Sequence, residues 1–339
     1  MNTHFVRPQT LVSIAVVAAL GLAAYAFGLP ARAAEPTSST VTCPTVGPGP
    51  AYTVTPAPSA GVDWSGCDLT HANLYGANLS NANLSGANLS NADISNSNLS
   101  GANLAGANLF LGNISYSNSR NANFSNATLY SYMNNADFSG ANFTSASMFG
   151  ALATSSNFQY ANLTGATLGA ALGSSDFTGA DLTKANLASG NVVKTNFLGA
   201  NFTGVKSGSI VGLPLALPLG WRLVNGYLLG PEANLTGAYL SSQNLTGVNL
   251  RGAALNGALL VATTLTGASL EGAIMQGAAI TNTILLRTNL TNVDLTGAYG
   301  KPAIFTNTAY LNTTCPDTSR MTSPRTCWDT SVFVSSAQK

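Results

Sequence analysis

Large apolar residues recur at every fifth position along most of the chain. From Cys67 the sequence reads CDLTH-ANLYG-ANLSN-ANLSG-ANLSN-ADISN-SNLSG-ANLAG-ANLFL. The centres of these nine units are Leu69, Leu74, Leu79, Leu84, Leu89, Ile94, Leu99, Leu104 and Leu109. Two residues before each centre stands Ala seven times and Cys or Ser once each, and Asn or Asp always lies between them. Self-similarity at a fixed period indicates a repeat architecture.

A period of five fits neither a helix of 3.6 residues per turn nor a simple strand of period two. A short strand with a corner after every five residues accounts for it. Positions two apart point to the same side of a strand, so the small residue and the large residue point inward and Asn or Asp points outward. The remaining two residues, mostly Ser or Thr followed by Gly or Asn, form the corner, where Gly and Asn tolerate a positive φ.

The A-(N/D)-(L/F)-(S/T)-x pattern resembles that of the pentapeptide-repeat family over roughly residues 65–207 and 232–305. The resemblance implies an all-β chain folded as a right-handed quadrilateral β-helix, with four repeats in each coil. We expect neighbouring coils to stack at the strand spacing of about 4.8 Å. The sequence therefore predicts two stacks of coils, in residues 65–207 and 232–305, joined by an insert.

The period slips twice, because nine residues replace ten over 129–138 and again over 168–177. Met133 and Leu172 are the expected centres of the shortened repeats. Counting four repeats per coil from Leu69 places both slips on one side, two coils apart. We expect this face to be flattened or bulged locally, either as a neutral deletion or as a functional feature.

The insert spans residues 208–231 and contains a predicted β-hairpin. Two β-rich runs, Trp221-Arg222-Leu223-Val224 and Tyr227-Leu228-Leu229, flank Asn225-Gly226. Asn-Gly between two such runs is the strongest short-range hairpin signal. The segment also resembles an insert that recurs between repeats in exported bacterial members of the family.

The first 33 residues are typical of a secretory signal peptide. A short basic region precedes the apolar segment 11–29, and Ala31-Arg32-Ala33 suits a signal peptidase, so we expect cleavage after Ala33. The alternative is an uncleaved membrane anchor, because 19 apolar residues just suffice to span a bilayer. We therefore expect a secreted or cell-envelope protein that makes no membrane contact once the signal is removed.

The four cysteines are predicted to close the two ends of the repeats. Residues 34–64 are expected to form a Pro-rich tail and N-terminal cap, and residues 306–339 a C-terminal cap. Export favours disulfides, and four cysteines allow three pairings. Two cysteines lie near each end of the repeats, so in a rod only Cys43–Cys67 and Cys315–Cys327 are within reach. A metal site is the rival interpretation, but the spacings lack CxxC pairs.

Charge excludes a nucleic-acid partner. Charged residues are only 7 % of the chain. Removal of Arg7 and Arg32 with the signal leaves 11 Lys and Arg against 12 Asp and Glu, a formal charge of −1. Binding to nucleic acid requires a basic patch, and the DNA mimicry of some family members requires a strongly negative rod. Neither is expected here.

The sequence contains no recognisable catalytic constellation. His71 is the one histidine after the signal, and it falls in a corner of the first coil. Asp176 and Asp181 lie at outward positions on adjacent sides, but Asn or Asp occupies that position throughout the repeats. We therefore predict that the protein is not an enzyme and needs neither a cofactor nor a metal.

One surface feature departs from the routine of the repeat. Phe110, Tyr130 and Phe149 each follow a centre and are predicted to lie in one column on adjacent coils. Such a ladder either stabilises the sheet or holds a sugar or a partner protein. We expect a non-catalytic scaffold that binds an unknown protein or polysaccharide. The alternative is a purely structural envelope component. The two capped ends favour a monomer.

Overall fold

The computed structural model describes residues 41–321 and 327–328. The predicted signal, residues 1–33, the first part of the predicted N-terminal tail, residues 34–40, and part of the predicted C-terminal cap lie outside the described residues. Regular strands are short: β1 Thr45–Val46, β2 Val54–Thr55, β3 Arg222–Val224, β4 Tyr227–Leu229, β5 Thr313–Thr314 and β6 Arg320–Met321. The described part of the chain is built without helices, so none there is long enough to cross a membrane.

Most of the chain is held together by parallel bridges between residues one coil apart. Asp63 pairs with Asn83, and Asn83 with Asn103, so a coil contains twenty residues, or four repeats. The outward residues therefore form four columns. We number these columns one to four by the outward residues Asp63, Asp68, Asn73 and Asn78, one of which lies in each column. This continuous parallel pairing makes the chain an all-β β-helix.

Each repeat ends in a tight turn that makes the corner. The N–H of Ala87 donates to the carbonyl of Leu84 at 3.1 Å, and the same bond recurs around the coil. The residue before the small one has a positive φ, as at Gly86 (66°) and Asn91 (58°). Gly and Asn suit this position because a positive φ strains most other side chains. The predicted corner chemistry is confirmed.

The small and large positions of each repeat form the core, which confirms the predicted inward direction. Leu84 and its equivalents are fully buried, as are the Ala residues two positions earlier. In column four the core continues as stacked rings, with centroids 5.0 Å apart for Phe138 and Phe158 and 4.6 Å apart for Phe158 and Phe177. Burial of these apolar side chains stabilises each coil against its neighbours.

Both shortened repeats lie in column three, as predicted. Asn113 pairs with Tyr132 and Leu152 pairs with Ala171, each 19 residues apart, whereas Tyr132 and Leu152 are 20 apart. The shortening removes a corner residue: no described residue between Asn126 and Asn135 has a positive φ. The chain therefore rounds these corners without the usual left-handed residue.

The hairpin of β3 and β4 lies between two coils rather than outside the stack. Column two passes directly from Lys206 to Asn234 across the insert. Beside it, the Ile210 N–H donates to the carbonyl of Gly226 at 3.2 Å. Asn225 Nδ2 donates to the carbonyl of Tyr239 at 2.9 Å. Outside column two, the hairpin thus replaces direct pairing between the coils on either side of it.

Disulfides join the pairs expected from the positions of the cysteines. Cys43 is bonded to Cys67, and Cys315 to Cys327, each with 5.4 Å between Cα atoms. The first bond attaches the segment that carries β1 to the inward position of a repeat. The second closes a loop beside β5 and β6. Each bond restricts the unfolded chain and so stabilises one end of the stack.

The three tryptophans of the sequence cover breaks or ends of the core. Trp64 is 3 % exposed and occupies the centre of an early repeat. Trp221 packs edge to face on Phe202, with centroids 5.1 Å apart, where the hairpin interrupts the coils. Trp328 is buried against Phe305 at the C-terminal end. A solenoid needs such caps because its last coil otherwise exposes the core cross-section.

Candidate functional site

The predicted aromatic ladder is formed only in part. The rings of Phe110 and Tyr130 stack, with centroids 5.4 Å apart and planes 23° apart. Among the described ring pairs, Phe149 makes none with Tyr130. A side chain at Gly150 would overlap the Tyr130 ring, and one at Gly169 would overlap Phe149, so each ring leans onto the next coil. The result is a stacked pair followed by a third ring that is 45 % exposed.

The face next to this ladder carries further exposed apolar side chains. Their exposed fractions are 41 % for Leu111, 62 % for Tyr116, 46 % for Tyr132 and 41 % for Leu152. Leu111 and Tyr116 occupy the two corners that border column three. We call this surface the column-three face; it consists of Asp93, Leu111, Asn113, Tyr116, Tyr132 and Leu152.

Before the hairpin, the outward positions of columns one, two and four are mostly polar, and many of them pair from coil to coil. In column one, Asn103 Nδ2 donates to Asn83 Oδ1 at 3.2 Å, and Asn123 Nδ2 donates to Asn103 Oδ1 at 3.0 Å. The Oδ1 atom of each Asn also accepts the backbone N–H two residues later, as Asn103 does from Ala105 at 3.2 Å. Asn and Asp at this position therefore serve both local turn chemistry and pairing between coils.

In column three this polar ladder stops. Asn113 Nδ2 donates to Asp93 Oδ1 at 3.3 Å, but the next outward residues are Tyr132, Leu152 and Ala171. The replacement begins in the first shortened repeat. The column-three face is therefore polar in its earlier coils, at Asp93 and Asn113, and apolar in the coils that follow.

A shallow depression of about 540 Å³ lies on the column-three face. Outward residues form its floor and the bulky corner residues form its sides. The lining includes Asp93, Leu111, Asn113, Ser115, Tyr116 and Tyr132. Asp93 Oδ1 accepts the N–H and the hydroxyl of Ser95 at 3.1 and 2.6 Å. Aromatic walls and convergent polar atoms are typical features of a ligand site.

Two other candidates from the sequence are accounted for by the repeat. Burial raises the pKa of Asp176, but hydrogen bonds from Thr178 and Gln159 outweigh it and hold that pKa below its usual range. Such a carboxylate is poorly suited to proton transfer near neutral pH. Asp181 accepts the hydroxyl of Thr183 at 2.5 Å. His71 stacks on Tyr52, with centroids 5.2 Å apart.

Potential metal ligands do not gather at any one place within residues 41–321 and 327–328, where no group of three or more His, Cys, Asp or Glu occurs. A second depression of about 500 Å³ lies beside the hairpin. It is lined by Ser209, Ile210, Val211, Asn225, Gly226, Tyr227 and Tyr239. This second depression arises because the hairpin lies between two coils.

Sequence reasoning missed several of these residues, although the repeat marks them. Leu111 and Tyr116 stand at the corner position, where Gly and Asn predominate. Tyr132 and Leu152 stand at the outward position, where Asn and Asp predominate. An alignment of the repeats by position reveals them as departures. A separate exposed apolar segment was also missed, with Val211, Leu213, Leu215 and Leu219 at 59, 77, 72 and 100 % exposure.

Comparison with known proteins identifies the repeat. The model for pentapeptide repeats matches in 8 copies, over residues 60–86, 72–109, 131–169, 169–204, 232–261 and 258–297. No curated protein matches the sequence.

Among solved structures, the chain is 24 % identical to HetL, a pentapeptide repeat protein involved in heterocyst differentiation regulation from Nostoc. That match covers 78 % of this chain and 92 % of HetL, with a TM-score of 0.23. This chain is also 15 % identical to QnrB1, a plasmid-mediated fluoroquinolone resistance protein. The match covers 74 % of this chain and 88 % of QnrB1, with a TM-score of 0.26. From its repeats and the extent of the family match, the chain belongs to the pentapeptide-repeat family.

Proposed function

We propose that the protein is a non-catalytic, secreted or cell-surface scaffold that binds a protein or a glycan. Its coils form a right-handed quadrilateral β-helix in two stacks, one on each side of the hairpin. Four columns of outward residues and the interruption at β3–β4 support this arrangement. The exported location rests on the signal-like sequence of residues 1–33 and on the two disulfides, which persist in oxidising compartments. The closed ends favour a monomer.

One observation carries the binding role: exposed aromatic and aliphatic side chains of neighbouring coils gather on one face, beside columns whose outward residues are mostly Asn. The ladder of Phe110, Tyr130 and Phe149 adjoins the column-three face, so the two form one continuous surface. Exposed apolar patches of this kind mark interaction sites on soluble proteins. Aromatic rings contribute most because they combine large contact area with few rotatable bonds.

The test compares the full chain with a triple variant, Phe110→Ala/Tyr130→Ala/Phe149→Ala. Each is incubated with purified cell-envelope polysaccharides and surface proteins, and bound protein is quantified. A matched control, Tyr160→Ala/Tyr299→Ala, removes two exposed tyrosines outside this surface. Binding that is lost in the triple variant and kept in the control supports the proposal.

The alternative is a purely structural component of the envelope without a specific ligand. The unbroken packing of Leu and Ala through the early coils favours it, because such a core serves stability alone. If neither the wild-type chain nor its variants bind any of the preparations, the structural role is preferred. The stacked pair of Phe110 and Tyr130 then serves only to join adjacent coils.

A further inference from the structure

We propose that the column-three face is a binding site for an uncharged hexose polysaccharide. This inference rests on the proposed function and specifies its ligand. Four departures from the repeat meet at this face: two bulky corner residues, an aromatic residue in an outward position and a shortened repeat. Aromatic or aliphatic outward residues also occur after the hairpin, as at Tyr239 and Leu259, but neither lines this depression.

Bulky residues stand at two corners beside the depression. Leu111 and Tyr116 adopt φ of 55° and 59°, in the left-handed region where most corners have Gly or Asn. A bulky residue in this conformation is strained by about 1–3 kcal/mol. Both side chains are nevertheless exposed, so burial offsets little of that strain. Bulky residues occupy left-handed corners elsewhere too, as Tyr160 and Lys184 do. Leu111 and Tyr116 differ from these because they border one depression and form its side walls.

Two side-chain oxygen atoms in the depression can accept further hydrogen bonds. Because Tyr132 replaces the next Asn, the ladder ends and Asn113 Oδ1 accepts only the N–H of Ser115, at 3.1 Å, among the described residues. Asp93 Oδ2 makes no hydrogen bond within the described part of the chain; the bonds to this carboxylate all go to Oδ1. Each of these oxygens retains capacity to accept a bond from a ligand hydroxyl.

The combination selects the ligand class. The apolar faces of sugar rings pack on aromatic side chains, while their hydroxyl groups donate to carboxylate and amide oxygens. Tyr116 and Tyr132 supply the rings, and Asp93 and Asn113 supply the acceptors. The depression offers a volume of about 540 Å³ to such a ligand.

The charge of the residues that line the depression distinguishes neutral from anionic glycans. Asp93 is the only charged residue that lines the depression, and no Lys or Arg does. A phosphorylated, sulfated or uronic-acid polymer would place its negative charges beside the Asp93 carboxylate without a compensating cation. The site therefore favours a neutral glycan over an anionic one.

The experiment measures binding of three soluble probes to the full chain by isothermal titration calorimetry. Cellohexaose and maltohexaose are the neutral probes, and hexagalacturonate is the anionic one. Two variants, Tyr116→Asn and Tyr132→Asn, restore the residue that the repeat prefers at each position, so they retain the fold. The matched control is Tyr160→Asn, which removes a 71 % exposed tyrosine from a left-handed corner elsewhere.

We expect at least one neutral hexaose to bind, with an affinity at least tenfold weaker in each face variant and unchanged in Tyr160→Asn. The inference is overturned if neither neutral probe binds, if hexagalacturonate binds more tightly, or if the control loses as much affinity as the face variants. Loss of partner capture in the ladder variant, with no binding of either hexaose, would leave the proposed function standing and remove only this inference.

Discussion

The stacked phenylalanines of column four allow a quantitative test of the fold. Phe158 is fully buried between Phe138 and Phe177, at centroid distances of 5.0 and 4.6 Å. Replacing a buried Phe by Ala costs about 3–5 kcal/mol. Each stacked ring pair adds about 0.5–1.5 kcal/mol beyond burial. Phe158→Ala loses two such pairs, so we expect destabilisation near the upper end, about 4–5 kcal/mol.

A local measurement is needed, because repeat proteins unfold by coils and a single global transition does not describe them. Native-state hydrogen exchange at the Phe158 amide, which donates to the backbone carbonyl of Asp176 at 2.7 Å, reports opening of this coil. Since each 1.4 kcal/mol is tenfold, the expected loss of protection is about 10³-fold. The Leu270 amide, in later coils, should change little.

Two further variants separate ring packing from simple loss of a side chain. Phe158→Leu places at this position the residue found at Leu99 in the same column, and we expect it to cost about 1.5 kcal/mol. Phe149→Ala removes a ring that is half exposed, and we expect about 0.5 kcal/mol. The reasoning is refuted if Phe158→Ala lowers protection less than tenfold, or no more than Phe149→Ala does.

Three other outcomes are expected. The side-chain hydrogen bond from Thr70 holds the pKa of Asp68 below its usual range, so its contribution to stability is present above the unfolded value of about 3.9 and is lost as the pH falls through the lower folded value. Asp68→Asn should flatten the fall in Tm below about pH 4, and an unchanged profile would contradict this. Gly230→Ala should cost about 1–3 kcal/mol in chemical denaturation, because the added methyl overlaps the Trp221 ring; a neutral result would mean that the ring moves freely. Leu219→Ser should change stability by less than about 0.5 kcal/mol, because Leu219 is fully exposed, and a larger loss would imply a contact there.

The regular parts of the molecule were predictable because they depend on local pattern. A strand directs alternate residues to opposite sides, so the five-residue period alone separates inward Leu84 from outward Asn83. The side on which the shortened repeats fall followed from counting four repeats per coil. The hairpin of β3 and β4 was signalled by Asn225-Gly226, although its position between two coils was not.

The role of the outward Asn and Asp residues was less accessible. The pattern placed them at the surface, where any polar residue is tolerated. Their pairing from coil to coil depends on atoms twenty residues apart being brought within hydrogen-bond distance, as between Asn103 and Asn83. For the same reason, the sequence did not reveal that Tyr132 ends such a ladder.

By itself the sequence determined the repeat, the inward and outward positions, the corner chemistry and which cysteines can meet, because each depends on residue type at a fixed spacing. Only the tertiary structure decided that Phe110 stacks on Tyr130 while Phe149 does not, and that Leu111 and Tyr116 border a depression floored by Asp93. Such contacts depend on the offset between stacked coils and on side-chain rotamers. Neither is encoded in the spacing of residues along the chain.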